Sequence, residues 1–164
     1  MVDAKESTAV READKRLVAK DVLRVFDDAD KGELTALHDF DLEAEHGEIV
    51  ALIGPSGCGK STFLRLVAGL DKAQGGTIEY GGEPIKGPSY NRGFVFQETN
   101  LYPWLTVEKN IAFGLKARGV YKQQKHRVQE MIDLMGLSGF EKSYPHQISG
   151  GMAARVAIAQ TFVQ

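Results

Sequence analysis

Cysteine is nearly absent from this chain: Cys58 is the single one among 164 residues. That excludes an internal disulfide and fits a reducing compartment such as the cytosol. Long apolar runs are lacking too. No stretch approaches the ~20 residues a membrane-spanning helix needs. Met1 to Arg16 is charged and polar without an apolar segment, so no signal peptide is expected. Neither sign of charge dominates. Lys and Arg number 20 against 22 Asp and Glu, a net charge of −2, and no five like charges run together. A nucleic-acid-binding surface usually shows a basic patch, so none is expected. Internal repeats and low-complexity segments are missing as well.

What is present is enough for one compact domain with a core, at 43% hydrophobic residues. Residues 1–16 have no apolar period and read as a mobile tail. Leu17 to Phe26 is valine-rich and reads as a strand. Asp27 to Gly32 is a turn cluster. Phe40, Leu42 and Ala44 alternate with Asp39, Asp41 and Glu43, the period of a half-buried strand. The apolar run Ile49 to Ile53 reads as a buried parallel strand. Thr77 to Tyr80 and Glu83 to Ile85 flank Gly81 and Gly82, a hairpin signal. Arg92 to Gln97 reads as another short strand. Helical periods follow: Val107, Ile111 and Leu115 within Thr106 to Lys116; then Val128, Met131, Ile132 and Met135, with Gly136 as cap. A last helix is expected after Gly150 and Gly151, with Met152, Val156, Ala159 and Val163 on one stripe.

The chemistry concentrates in Gly54-Pro55-Ser56-Gly57-Cys58-Gly59-Lys60-Ser61-Thr62, which fits G-x-x-x-x-G-K-[ST]. An apolar run precedes it and a breaker-free helical stretch follows. Glycines let successive backbone N–H groups curl inward, and a helix N-terminus adds partial positive charge. Together they cradle phosphates. Lys60 is placed to reach the β- and γ-phosphates and Ser61 to ligate Mg²⁺. Nucleotide binding is the expectation. Cys58 inside the loop reads as a small side chain that fits, with a redox role as the alternative.

Three further stretches lie in order with this loop: Val95-Phe96-Gln97-Glu98, Leu101 to Ile111 containing Pro103-Trp104-Leu105-Thr106-Val107, and Ile148-Ser149-Gly150-Gly151-Met152. From about Leu17 onward the chain resembles the ATP-binding subunit of ABC transporters, more narrowly the nitrate, sulfonate and taurine importer type. The resemblance implies an α/β P-loop core, an antiparallel β-subdomain and a helical subdomain. Residues 17–97 would hold the core and β-subdomain, and residues 98–164 the helical subdomain with the signature motif.

By the same resemblance, Phe26 matches the aromatic residue that stacks on adenine; a core aromatic is the alternative reading. Gly54, Ser56, Gly57, Cys58, Gly59, Lys60, Ser61 and Thr62 would bind the phosphates. Gln97 matches the Q-loop glutamine, a catalytic and Mg²⁺-sensing residue. Ser149, Gly150 and Gly151 match the signature motif that meets the γ-phosphate held by an opposite subunit. Trp104 is either a docking anchor for a membrane-subunit helix or a local plug. His38, His46, His126 and His146 fall outside these motifs and read as surface or turn residues.

The sequence departs from the family pattern at Ala153 and Ala154, where Arg and Gln are usual, and at Gln160, where Arg is usual. The family's Walker B aspartate, catalytic glutamate and switch histidine would lie beyond Gln164. ATP binding without hydrolysis is thus expected of this chain. The resemblance implies ATP and Mg²⁺ as cofactors, a head-to-tail second ATPase subunit, a transmembrane permease and, indirectly, a solute-binding protein. It places the protein in the cytoplasm, peripheral on the inner face of the membrane, serving import of a small anion. The other readings are a non-catalytic nucleotide-binding fragment and a soluble ABC-type ATPase. Repair ATPases of the latter kind carry a long coiled coil after the Q-loop, and the interval from Gln97 to Ser149 has no sustained heptads.

Overall fold

A computed structural model describes residues 15–28, 32–98 and 100–164. The expected tail over residues 1–16 falls outside these except for Lys15 and Arg16, as does the middle of the turn cluster after Asp28. The chain divides into two compact units, Met1–Arg92 and Gly93–Gln164. Among the described residues no helix is long and apolar enough to cross a membrane.

The first unit is built on strands β1 (Leu17–Asp28), β2 (Gly32–Ala44), β3 (Gly75–Tyr80) and β4 (Glu83–Pro84). They form one sheet in the order β2-β1-β3-β4, antiparallel at every pairing. The alternation read in the sequence is the alternation of the pleat. Phe40, Leu42 and Ala44 are half-buried while Asp39, Asp41 and Glu43 are exposed. Gly81 and Gly82 take φ of 63° and 75°, the two positive values that a tight hairpin turn requires. Helix α1 (Lys60–Val67) lays Phe63 and Leu66, each 2% exposed, against Ala19, Val22, Leu37 and Ile78. The rings of Phe63 and Phe40 stand 4.7 Å apart. Burying two such side chains contributes roughly 1.5–3 kcal/mol each. Arg92 closes the unit by donating to Val67 O at 3.2 Å and Gly87 O at 2.6 Å.

Two expected strands are absent. Residues 48–55 and 93–96 carry no strand pairing, and Ile49 and Ile53 are 95% and 94% exposed. An apolar run reports a tendency to be buried, whereas a strand needs a hydrogen-bonded neighbour. No described segment supplies one here.

The second unit holds α2 (Val107–Ile111), α3 (Phe113–Ala117), α4 (Tyr121–Leu134) and α5 (Gly150–Phe162), with a 3₁₀ turn at Pro145–Gln147. The helix expected over Thr106 to Lys116 is two short helices, because Ala112 has ψ of −9°, too flat to continue an α-helix. Val107, Ile111 and Leu115 are still fully buried, packed with Val128, Ile132, Leu137, Val156, Ala159 and Val163. Gly136 ends α4 as expected: its N–H reaches Asp133 O at 3.1 Å and Leu137 N–H reaches Ile132 O at 2.9 Å, the paired bonds of a Schellman motif. The start of α2 is capped from outside itself. Val107 N–H donates to Ser143 O and Glu108 N–H to Glu141 O. Glu141 in turn accepts from Gly139 N–H, which holds its carboxyl below the usual range.

Asn110 is the one fully buried polar side chain in the described core. Its Nδ2 donates to the carbonyls of Tyr102, Leu105 and Thr106, and its Oδ1 accepts from Tyr102 N–H at 2.8 Å. One side chain thereby fixes the loop that carries Pro103 and Trp104. Asn110→Leu keeps the size but strands those backbone groups, so we expect a loss of about 1–3 kcal/mol. Urea melts of the two chains check this, and coincident midpoints would contradict it.

Candidate functional site

The loop Gly54 to Lys60 turns into α1 without a side-chain cap. Gly59 occupies the cap position with φ of 90° and ψ of −4°. A Cβ there would collide with Ala36 O, so only glycine fits both the conformation and the close approach to β2. The first helical bond runs from Phe63 N–H to Gly59 O at 2.9 Å. Helix geometry therefore leaves the N–H groups of Lys60, Ser61 and Thr62 without an intrahelical acceptor, at the positive end of the dipole. Lys60 folds back over the loop. Its Nζ donates to Gly54 O at 2.7 Å and Pro55 O at 2.6 Å, and lies 3.3 Å from Cys58 Sγ. The ammonium is thus tied to the carbonyls that open the loop. Gly54, Ser56, Gly57, Cys58 and Ser61 are exposed. A cavity of about 100 Å³ lies against this loop, lined by Leu37, Phe40, Leu52, Ile53, Cys58, Gly59, Lys60 and Phe63.

Phe26 is half-buried on β1, opposite Leu34 of β2. It does not line that cavity. The guanidinium of Arg24 lies over its ring, 4.4 Å from the centroid, and Arg24 Nη2 meets Asp71 Oδ1 at 3.0 Å. Neither Arg24 nor Asp71 stands out in the sequence. Arg24 sits two residues from Phe26, the one hint available; Asp71 is brought to it only by the fold.

Ser61 is exposed in the first turn of α1, and its hydroxyl suits Mg²⁺, which takes few protein ligands beside water and phosphate oxygens. Among the described residues no group of three His, Cys, Asp or Glu side chains forms a metal cluster.

In the second unit, Gln97 is exposed in an irregular stretch after Phe94 and Phe96, whose rings are edge-on at 4.7 Å. Ser149 is the cap of α5, its hydroxyl accepting from Met152 N–H at 3.2 Å. Gly150 and Gly151 form the first turn of that helix rather than preceding it. Both are exposed, and a Cβ at either would meet nothing within 4 Å. Close packing inside the unit therefore does not require glycine at these two positions. Arg155 is used internally, donating to Met135 O at 2.7 Å across to the end of α4. Trp104 is 70% exposed, which removes the reading of a buried plug. Its nearest ring is Tyr102, at 5.6 Å. All four histidines are exposed.

A profile of the ABC transporter family matches residues 37–164. The chain is 50% identical over 133 residues to the aliphatic sulfonates import ATP-binding protein SsuB of Bacillus thuringiensis subsp. konkukian (strain 97-27), covering 81% of this chain and 52% of the relative. It is 44% identical over 132 residues to the nitrate import ATP-binding protein NrtD of Synechocystis sp. (strain ATCC 27184 / PCC 6803 / Kazusa), covering 80% and 50%. Among solved structures it is similar to the dimeric post-hydrolysis state of the ATP-binding cassette MJ0796 bound to ADP and Pi. The TM-score is 0.78 at 30% identity, over 90% of this chain and 69% of that one. The chain spans about half the length of the curated relatives it matches.

Proposed function

The chain belongs to the ABC transporter family, and on that premise we propose that it is the ATP-binding, energy-coupling part of an importer for a small anion such as nitrate, a sulfonate or taurine. The observation that carries the reading is the uncapped N-terminus of α1 behind a glycine loop, with Lys60 held at its mouth. Free N–H groups, dipole and ammonium converge there on a place for anionic oxygens.

The roles follow from position. Gly54, Ser56, Gly57, Cys58, Gly59, Lys60, Ser61 and Thr62 take the triphosphate, and Phe26 takes the adenine. Ser61 would contribute a hydroxyl to Mg²⁺, which when bound would neutralise charge on the β- and γ-phosphates. Gln97 takes the part of the family's Q-loop glutamine. Ser149, Gly150 and Gly151 offer a helix start to the γ-phosphate held by a second, head-to-tail copy. Their exposure and freedom from packing support that use. Trp104, exposed on a loop fixed by Asn110, suits the docking of a membrane permease at the cytoplasmic face. A solute-binding protein would act on the permease rather than on this chain.

Titration calorimetry with Mg-ATP and with AMP tests the reading: ATP is expected to bind and AMP, which lacks the β- and γ-phosphates, to bind far more weakly. Equal affinities would overturn it. Cys58 gives an independent check. Its exposed thiol beside Lys60 is expected to react with a maleimide freely in the nucleotide-free chain and slowly under saturating Mg-ATP. Labelling at one rate with and without ATP would mean that the loop is not the phosphate site.

A further inference from the structure

We propose that Arg24, anchored by Asp71, is a positioning residue for the nucleotide base and acts through Phe26. The proposal rests on the reading of Phe26 as the base platform. The guanidinium lies over one face of the ring at 4.4 Å. Only the opposite face is left for a base. Aromatic faces carry negative potential and repel one another when stacked flush. A cation on the far face draws that density away and also fixes the ring's orientation.

The placement of Arg24 favours this role over an ordinary surface ion pair. Its side chain is 19% exposed and that of Asp71 22%. Among the described residues its Nε is buried without a hydrogen-bond partner. Such an orphaned donor costs stability, and an ion-pair role alone gives no reason to retain it. The register of β1 shifts between Val22 and Arg24 and again between Arg24 and Val25, so the strand's regular alternation is broken around this residue. The segment after α1 is stitched to the same place: Gln74 N–H donates to Leu23 O at 2.9 Å and Val25 N–H to Gln74 Oε1 at 2.5 Å.

The geometry also ties the base end to the phosphate end. Gly59 abuts Ala36 and Leu37 of β2, Leu37 pairs with Arg24, and Leu34 pairs with Phe26. Three strand residues span roughly 10 Å, on the order of the length of a nucleotide. Helix α1 begins at the phosphate loop, and the chain leaving its far end supplies Asp71. The helix and the turn after it thus connect the anion site to Asp71 and, through Arg24, to the ring that receives the base.

The test compares ATP with inorganic tripolyphosphate, which has no base, as ligands of the 164-residue chain and its variants. Arg24→Leu is expected to weaken ATP about three- to tenfold while tripolyphosphate stays within about twofold. Arg24→Lys, which keeps the charge without the planar fork, is expected to fall between. In a Phe26→Ala background, Arg24→Leu is expected to have no further effect on ATP. Asp71→Asn carries the same comparison if Arg24→Leu does not fold, and circular dichroism decides that. Equal losses for ATP and tripolyphosphate, or an undiminished Arg24 effect in the Phe26→Ala background, would overturn the proposal and leave Phe26 as the platform. ATP affinity unchanged by Phe26→Ala alone would overturn the platform reading itself.

Discussion

Lys60→Ala is expected to lower the affinity for Mg-ATP at least tenfold, corresponding to roughly 1.5–3 kcal/mol for a charge-assisted contact. Two effects add. The substitution removes the cation that would meet the β- and γ-phosphates. It also removes the donor to Gly54 O and Pro55 O, so the loop loses the tie that holds its opening residues over the start of α1. Lys60→Arg separates the two, since it keeps the charge but not a compact ammonium that fits between those carbonyls. An intermediate affinity is expected for it. Calorimetry reads both, with far-UV circular dichroism confirming that α1 persists. Wild-type ATP affinity in Lys60→Ala would remove the loop as the phosphate site.

The phosphate loop was legible because its information is local: glycine spacing, one lysine and a helix start lie within nine consecutive residues. The antiparallel sheet was legible for a similar reason. Alternation at Phe40, Leu42 and Ala44 and the Gly81-Gly82 turn are short-range consequences of the pleat and of positive φ. Strand pairing at Ile49 to Ile53 was not, because the apolar run says nothing about which neighbour bonds to it. Asn110 was invisible in sequence, since its three carbonyl partners gain meaning only when the loop before α2 closes over it. Arg24 and Asp71 were missed on the same ground: the contact that matters joins two places far apart in the chain. The break at Ala112 left no trace in the apolar period, which runs unbroken through Val107, Ile111 and Leu115.

The 164-residue chain on its own is expected to bind Mg-ATP yet release phosphate no faster than buffer. Among the described residues, the cavity against the phosphate loop is lined by Leu37, Phe40, Leu52, Ile53, Cys58, Gly59, Lys60 and Phe63, none of which is a general base for water at neutral pH. A positioned general base is worth about 10²–10⁴-fold in rate. The same region gives the chain a second expected trait. Ile49 and Ile53 bound an irregular segment without strand pairing among the described residues and stand almost wholly in solvent, an apolar surface open to association between copies. Light scattering is expected to show concentration-dependent aggregation, and the double substitution Ile49→Ser with Ile53→Ser to suppress it without lowering the melting temperature, since neither side chain is packed. A pure, monomeric 164-residue chain that hydrolyses ATP well above the buffer rate, with Lys60→Ala abolishing the activity, would show that the catalytic base lies within these residues and that Ile49 to Ile53 needs no partner.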